Sequence, residues 1–180
     1  MAGHNKWSKI KHKKAVTDAK KSKVFSKYAK LIAVESKRAG GDTSDPGLRA
    51  IIDKAKSESM PKDNIDRAVA RGTSKDADSL EAITYEFFGP AGIAFIVEVL
   101  TDNRNRTGQE IKHMLSKRDL TLGGPNATSW AFQKDGVRWT PLNTVPVVDQ
   151  DIETFESLVE ELDDHDDVQE VYTNAEGYQS

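Results

Sequence analysis

The stretch ITYEFFGPAGIAFIVEVLTDNRNRTGQEIKHMLSK, residues 83–117, passes from one periodicity to another. Residues 83–88 read as a strand, Gly89-Pro90-Ala91-Gly92 as a turn, and 93–100 (IAFIVEVL) as a nearly unbroken apolar run. A short apolar run bounded by turn residues is expected of a strand covered on both faces, and so of a central one. Over 105–117 the spacing becomes three and four, with Ile111, Met114 and Leu115 on one side, which predicts a helix.

Reading outward toward the C-terminus, Gly123-Gly124-Pro125-Asn126 is a loop, and 129–133 with 137–140 form a hairpin around Asp135-Gly136. Residues 151–162 are helical, with Ile152, Phe155, Leu158, Val159 and Leu162 on one face, and 168–172 is a last strand. From residue 93 the order is strand, helix, strand, strand, helix, strand. That is the split βαβ, ferredoxin-like order, with an extra strand in front.

Toward the N-terminus three amphipathic helices are expected. The first begins near Thr17, buries Val24, Phe25, Tyr28, Leu31 and Ile32, and stops at Gly40-Gly41. Asp45 caps the second, Pro46 opens it, Leu48, Ile51, Ile52 and Ala55 are its buried face, and Met60-Pro61 breaks it. Ile65, Ala68 and Val69 line the third, which ends at Gly72. The expected class is α+β. Residues 1–72 form a basic three-helix domain whose first 15 residues are a flexible arm, 73–80 a linker, and 81–180 an α+β domain with an acidic C-terminal part.

The net charge of −3 hides a steep gradient. Residues 1–38 hold 12 Lys or Arg against only Asp18 and Glu35, whereas 149–180 hold 12 Asp or Glu and no Lys or Arg. One end is a polycation and the other a polyanion. So large a positive excess goes beyond what solubility asks for and points to phosphate.

Several classes fall away. There is no cysteine, which removes disulfides, thiolate metal sites and a thiol nucleophile, and which suits a reducing compartment. No apolar run approaches the roughly 20 residues of a membrane span. The N-terminal lysines precede no apolar segment of a secretory signal, so a cytoplasmic protein is expected. The turn at Gly89–Gly92 lacks the spacing and the Lys-Ser/Thr ending of a phosphate loop. The run DDHDD at 163–167 lacks the spacing and glycine of a calcium loop and reads as a solvated helix end. No serine occupies a nucleophile elbow. Neither enzyme chemistry, nor a metal, nor a cofactor is expected.

Two segments are candidates for binding nucleic acid. In GHNKWSKIKHKKA, Lys6, Lys9, Lys11, Lys13 and Lys14 supply point charges for phosphate, with His12 among them, and Lys20, Lys21 and Lys23 continue the series onto the first helix. Trp7 either stacks on an exposed base or anchors the segment on the helical core. In TDNRNRT at 101–107, Asn103, Arg104, Asn105 and Arg106 sit where a strand turns into a helix. Either they present guanidinium forks and amides to an anion, or an Asp or Asn caps the helix while the arginines face water.

MAGHNKWSKIKHKKA at 1–15, GGD at 40–42, MPKDNIDRAVARG at 60–72, YEFFGPAGIAFIVEVLTDNRNRT at 85–107 and DDVQEVYTN at 166–174 together resemble the YebC/PmpR family. The resemblance implies a helical N-terminal domain followed by α+β domains. It implies a DNA-binding transcriptional regulator, other members being described as translation factors at the ribosome. The family's basic segment matches Lys6, Trp7, Lys9, Lys11, His12, Lys13 and Lys14, and its DNRNRT block matches Asp102 to Thr107. The chain departs from the family after 137–139, where a further domain is usual and Arg138 instead runs through Pro141 and Pro146 into the last helix.

Three functional expectations follow. The first is a DNA-binding transcriptional regulator, the second a factor binding ribosomal RNA. The third is a charge-driven interaction module, whose complementary ends invite self-association.

Overall fold

Gly40 and Gly41 end the first helix by donating their N–H groups back to Lys37 O (3.3 Å) and Ser36 O (2.9 Å), the paired bonds that close an α-helix. The structure, a computed structural model, describes residues 18–178. The described residues fall into two units, one drawn from 18–82 with 100–104, the other from 83–99 and 105–178, and each is taken by itself below.

The helical unit contains α1 (Asp18–Ala39), α2 (Pro46–Ser57) and α3 (Lys62–Gly72). Asp45 caps α2 by accepting from Gly47 N (2.9 Å) and Leu48 N (3.2 Å), with Pro46 at the first turn where no N–H is needed. Ile32, Leu48, Ile52, Ala55, Met60, Ile65 and Ala68 are its buried core, with Phe25, Tyr28 and Val69 packed against them. Val24 and Leu31, expected on the same stripe, are only partly buried and lie outside that cluster. α1 and α3 approach closely at Gly72. A Cβ there would collide with the carbonyl of Ala33 and with Ser36, whose buried hydroxyl donates to Val69 O at 2.7 Å. Residues 75–79, within the expected linker, form a 3-10 helix.

The α+β unit is built on β1 (Glu81–Phe88), β2 (Ala94–Thr101) and β5 (Val168–Thr173), in sheet order β1-β2-β5. The short turn between β1 and β2 leaves room only for antiparallel pairing. β5 pairs antiparallel with β2, Phe95 opposite Thr173 and Val97 opposite Val171, with a bulge beside Glu98 and Val99. α4 (Arg104–Ser116) and α5 (Ile152–Asp163) cover one face. There Ile111, Leu115, Phe155, Leu158 and Leu162 meet Ile83, Phe87, Phe95, Val97, Val168 and Val171, and the Phe87 and Phe95 rings stack at 4.8 Å. β3 (Phe132–Asp135) and β4 (Arg138–Pro141) form a hairpin serving the other cluster, where Ala131, Phe132 and Trp139 meet Ala94, Ile96 and Tyr172. Two-sided burial is why IAFIVEVL is almost wholly apolar. Its one charged residue, Glu98, accepts from Trp139 Nε1 (2.8 Å) and Thr84 Oγ1 (3.0 Å).

The α+β class is as expected, but the strand arrangement differs from the ferredoxin-like order. β3 and β4 make a separate two-stranded sheet, and β1 takes the position beside β2. The reason is in the residues. FQKD and RWTP are short and largely solvent-facing, unfit for the middle of a sheet, while EAITYEFF has the apolar face that β2 needs. The expected hairpin around Asp135-Gly136 is present, with Gly136 at φ +60° in a two-residue turn. Residues 129–131, expected as strand, form a 3-10 turn instead. The buried carboxylate of Glu86 collects the N–H groups of Asn126 (3.1 Å), Thr128 (2.8 Å) and Ser129 (2.8 Å), which coils this segment and takes donors a ladder would use.

Candidate nucleic-acid interface

Seven of the expected contact residues, Lys6, Trp7, Lys9, Lys11, His12, Lys13 and Lys14, lie outside the described residues. Lys20, Lys21 and Lys23 are placed on the N-terminal half of α1, Lys21 exposed and the other two half-buried. Lys27 and Lys30 follow on the same helix, which ends in Lys37 and Arg38, where cations also suit the negative end of the helix dipole. Arg38 itself is drawn to Glu35 and to the α2 cap Asp45.

α2 and α3 carry cations in a different setting. Arg49 and Lys56 flank Asp53 at 4.0 and 3.8 Å, Lys62 meets Asp66 at 2.9 Å, and Arg67 bonds Asn64. These four cations have partners on their own helices. Along α1 the sequence offers seven cations and only Asp18 and Glu35 in return, so the positive field of the helical unit is concentrated there.

At the strand-to-helix turn, buried Thr101 accepts the Asn103 N–H on its Oγ1 at 2.9 Å, and α4 begins at Arg104. Asn103 and Asn105 are exposed. Both arginines meet anions, and those anions belong to the chain. Arg104 forks onto the Glu81 carboxylate, with Nε at 3.1 and 3.2 Å from its two oxygens, and this bond holds the Glu81 carboxyl below its ordinary range. Arg106 donates to Asp167 Oδ2 at 2.8 Å, and the fully buried Thr107 hydroxyl donates to the same oxygen at 2.6 Å.

Asp167 belongs to the DDHDD run expected to be a solvated helix end, yet it is only 4% exposed. His165 beside it accepts the Asp167 N–H on Nδ1 (3.1 Å) and turns Nε2 to Glu110 at 2.8 Å. Glu110, His165 and Asp167 bring ligand-type atoms within 4.8 Å of one another. The hydrogen bonding fits a closed polar network better than a metal site. Nδ1 is an acceptor here, so the proton sits on Nε2 and points at Glu110, while Arg106 already neutralises Asp167. Nothing in DDHDD alone singles out Asp167, because Arg106 and Thr107 lie about 60 residues earlier.

No helix among the described residues is long and apolar enough to cross a membrane. Among the described residues, α1 is rich in lysine, and the arginines of the 101–107 turn meet carboxylates of the chain itself. The TACO1/YebC protein N-terminal domain matches residues 5–75, and the TACO1/YebC second and third domain matches 80–138 and 135–175. The chain belongs to the TACO1/YebC family. A probable transcriptional regulatory protein of Trichlorobacter lovleyi is 45% identical over 99% of this chain and 72% of its own length. One of Geobacter sulfurreducens is 50% identical over 76% of this chain and 56% of its own. The crystal structure of a conserved hypothetical protein from Aquifex aeolicus superposes with a TM-score of 0.85 at 27% identity, covering 94% of this chain and 96% of that one.

Proposed function

We propose that this protein is a non-enzymatic regulator of gene expression that binds nucleic acid, a DNA-binding transcriptional regulator of YebC type acting in the cytoplasm. The observation that carries the reading is the concentration of 12 basic residues against two acidic ones in 1–38, its described part laid along a single helix. The relatives named as probable transcriptional regulatory proteins support it.

In this reading Lys6, Lys9, Lys11, Lys13 and Lys14 with Lys20, Lys21 and Lys23 meet phosphates, and Trp7 and His12 lie among them. Binding releases condensed counterions, so affinity falls steeply with salt. Asn103, Arg104, Asn105 and Arg106 form a secondary surface, because phosphate there competes with Glu81 and Asp167. The second-and-third-domain match falls in two stretches that meet at the β3–β4 turn. This supports the reading that a segment usual in the family is missing there.

The test is fluorescence anisotropy with labelled duplex DNA over a salt series, with a scrambled duplex as competitor. A steep salt slope and preference for some genomic duplexes over the scrambled one are expected. Equal binding to both at physiological salt counts against the transcriptional reading. A second reading, binding of ribosomal RNA by a translation factor, is favoured by the near-exclusive use of lysine, which suits recognition of phosphate and shape better than of base edges. Co-sedimentation with ribosomal particles supports it, and complete absence from them eliminates it.

A further inference from the structure

We propose that the cleft between β4 and β5 is a docking site for a lysine or arginine side chain carried by a basic segment of a protein partner. The cleft, about 330 Å³, is lined by Trp139 and Pro141 of β4, Tyr172 and Thr173 of β5, Tyr178 and Arg138. That is the low end of the range for ligand clefts, roughly 300–1,000 Å³, and it suits one long side chain.

Its three aromatic rings are fixed in advance. Trp139 donates its indole N–H to Glu98 at 2.8 Å, and the Tyr172 hydroxyl donates to Val137 O at 3.3 Å. The Tyr178 ring stands edge-on to Phe155 at 6.1 Å. Rings held by such contacts lose little freedom when a ligand arrives. One of them already receives a cation, since Lys134 Nζ lies 4.7 Å from the centre of the Trp139 ring. The quadrupole of an indole or phenol attracts ammonium and guanidinium groups to its face.

The sign of the field separates a cationic occupant from a phosphate. Burial raises the Tyr172 hydroxyl, and Glu170 and Glu98 raise it further against a smaller opposing pull from Arg138. Burial also raises Tyr178, with Asp163 and Glu170 adding to it. Three carboxylates, Glu98, Glu170 and Asp163, therefore act on these rings against two cations, Arg138 and Lys134, and 149–180 carries 12 acidic residues with no Lys or Arg. A phosphodiester is repelled where an arginine is drawn in. This proposal stands independently of what the N-terminal lysines bind.

The experiment uses the full chain with Trp7→Phe and Trp130→Phe, which leaves Trp139 as the sole tryptophan. Its emission is followed against a nona-arginine peptide, a neutral nona-citrulline peptide and a single-stranded 12-mer oligonucleotide. Saturable change with the arginine peptide alone is expected. Glu170→Gln, an exposed position, should weaken binding about 3- to 5-fold. Glu160→Gln, which removes the same charge from the exposed side of α5, should change it less than about twofold. Equal weakening by both variants reduces the effect to net charge and overturns the proposal. Silence of Trp139 emission overturns it, and so does an equal saturable change produced by the oligonucleotide in the absence of peptide.

Discussion

Two groups of cations in this chain look alike in composition and differ in what surrounds them. α1 carries Lys20, Lys21, Lys23, Lys27, Lys30, Lys37 and Arg38 in a stretch of sequence whose acidic residues are two, Asp18 and Glu35. The turn before α4 carries Arg104 and Arg106, and each meets a carboxylate supplied by a distant part of the sequence, Glu81 and Asp167. A count of positive charge scores both as phosphate sites. The balance of charge around each separates them. Cations offset one for one by carboxylates at short range contribute little to the external field, whereas a row in which cations outnumber carboxylates projects it into solvent. Under the proposed function, nucleic-acid affinity belongs to α1 and the segment before it, and the turn has first of all a folding role.

The largest effect is therefore expected at the lysines. Changing Lys6, Lys9, Lys11, Lys13, Lys14, Lys20, Lys21 and Lys23 to Gln should remove most duplex affinity. The slope of log K against log salt should shrink by about 0.9 for each phosphate that is no longer neutralised. Anisotropy titrations from low to physiological salt measure both. Affinity retained after all eight changes erases the contrast between the two groups.

Next in size is a loss of stability at the turn. Asp167→Ala removes the acceptor shared by Arg106 and Thr107 and takes that partner from the buried Thr107 hydroxyl. A cost of about 2 kcal/mol is expected, typical of hydrogen bonds to a charged group and below the figure for a wholly buried ion pair, because Arg106 is 44% exposed. Urea unfolding reads the cost. Duplex affinity of the folded fraction should rise modestly, because phosphate no longer competes with Asp167 for Arg106. An unchanged midpoint together with a large rise in affinity would move this turn into the lysines' class.

Glu86 gives a pH-dependent counterpart. Burial pushes its carboxyl up, but the N–H groups of Thr128, Ser129 and Asn126 outweigh burial and hold it below its ordinary value. A carboxyl lowered on folding stabilises fully above its unfolded pKa and loses that contribution as pH falls through the folded value. Stability should therefore decline below the ordinary carboxylate value near 4.5. Glu86→Gln should be less stable at neutral pH and show a shallower acid decline, measured as thermal midpoints between neutral and acid pH.

These residues also mark how far the sequence could be read. β2 was legible because burial on both faces leaves an unbroken apolar run, and α2 because Asp45-Pro46 writes its start in adjacent letters. The hairpin's place was not, since ferredoxin-like order follows from element sequence while pairing follows from which strand has an apolar face to offer. Asp167 and Glu86 were hidden for a related reason. Each carboxylate meets its partners only after the fold has closed a gap of 40 residues for Glu86 and 60 or 61 for Asp167.

The smallest effect is the sharpest test of the contrast. Arg104 and Glu81 are 61% and 49% exposed, and an ion pair so open to water contributes little net stability. Arg104→Gln should then leave the unfolding midpoint nearly unmoved, so any change in binding reads contact alone. If Arg104 stays with Glu81 in the complex, duplex affinity falls less than about threefold and the salt slope is preserved. If it exchanges Glu81 for phosphate, the slope drops by about one. The second outcome should be mimicked in reverse by Glu81→Gln, which releases the guanidinium from that carboxylate and raises affinity. With neither change moving the slope, the turn lies outside the interface and the lysine-rich end carries it alone.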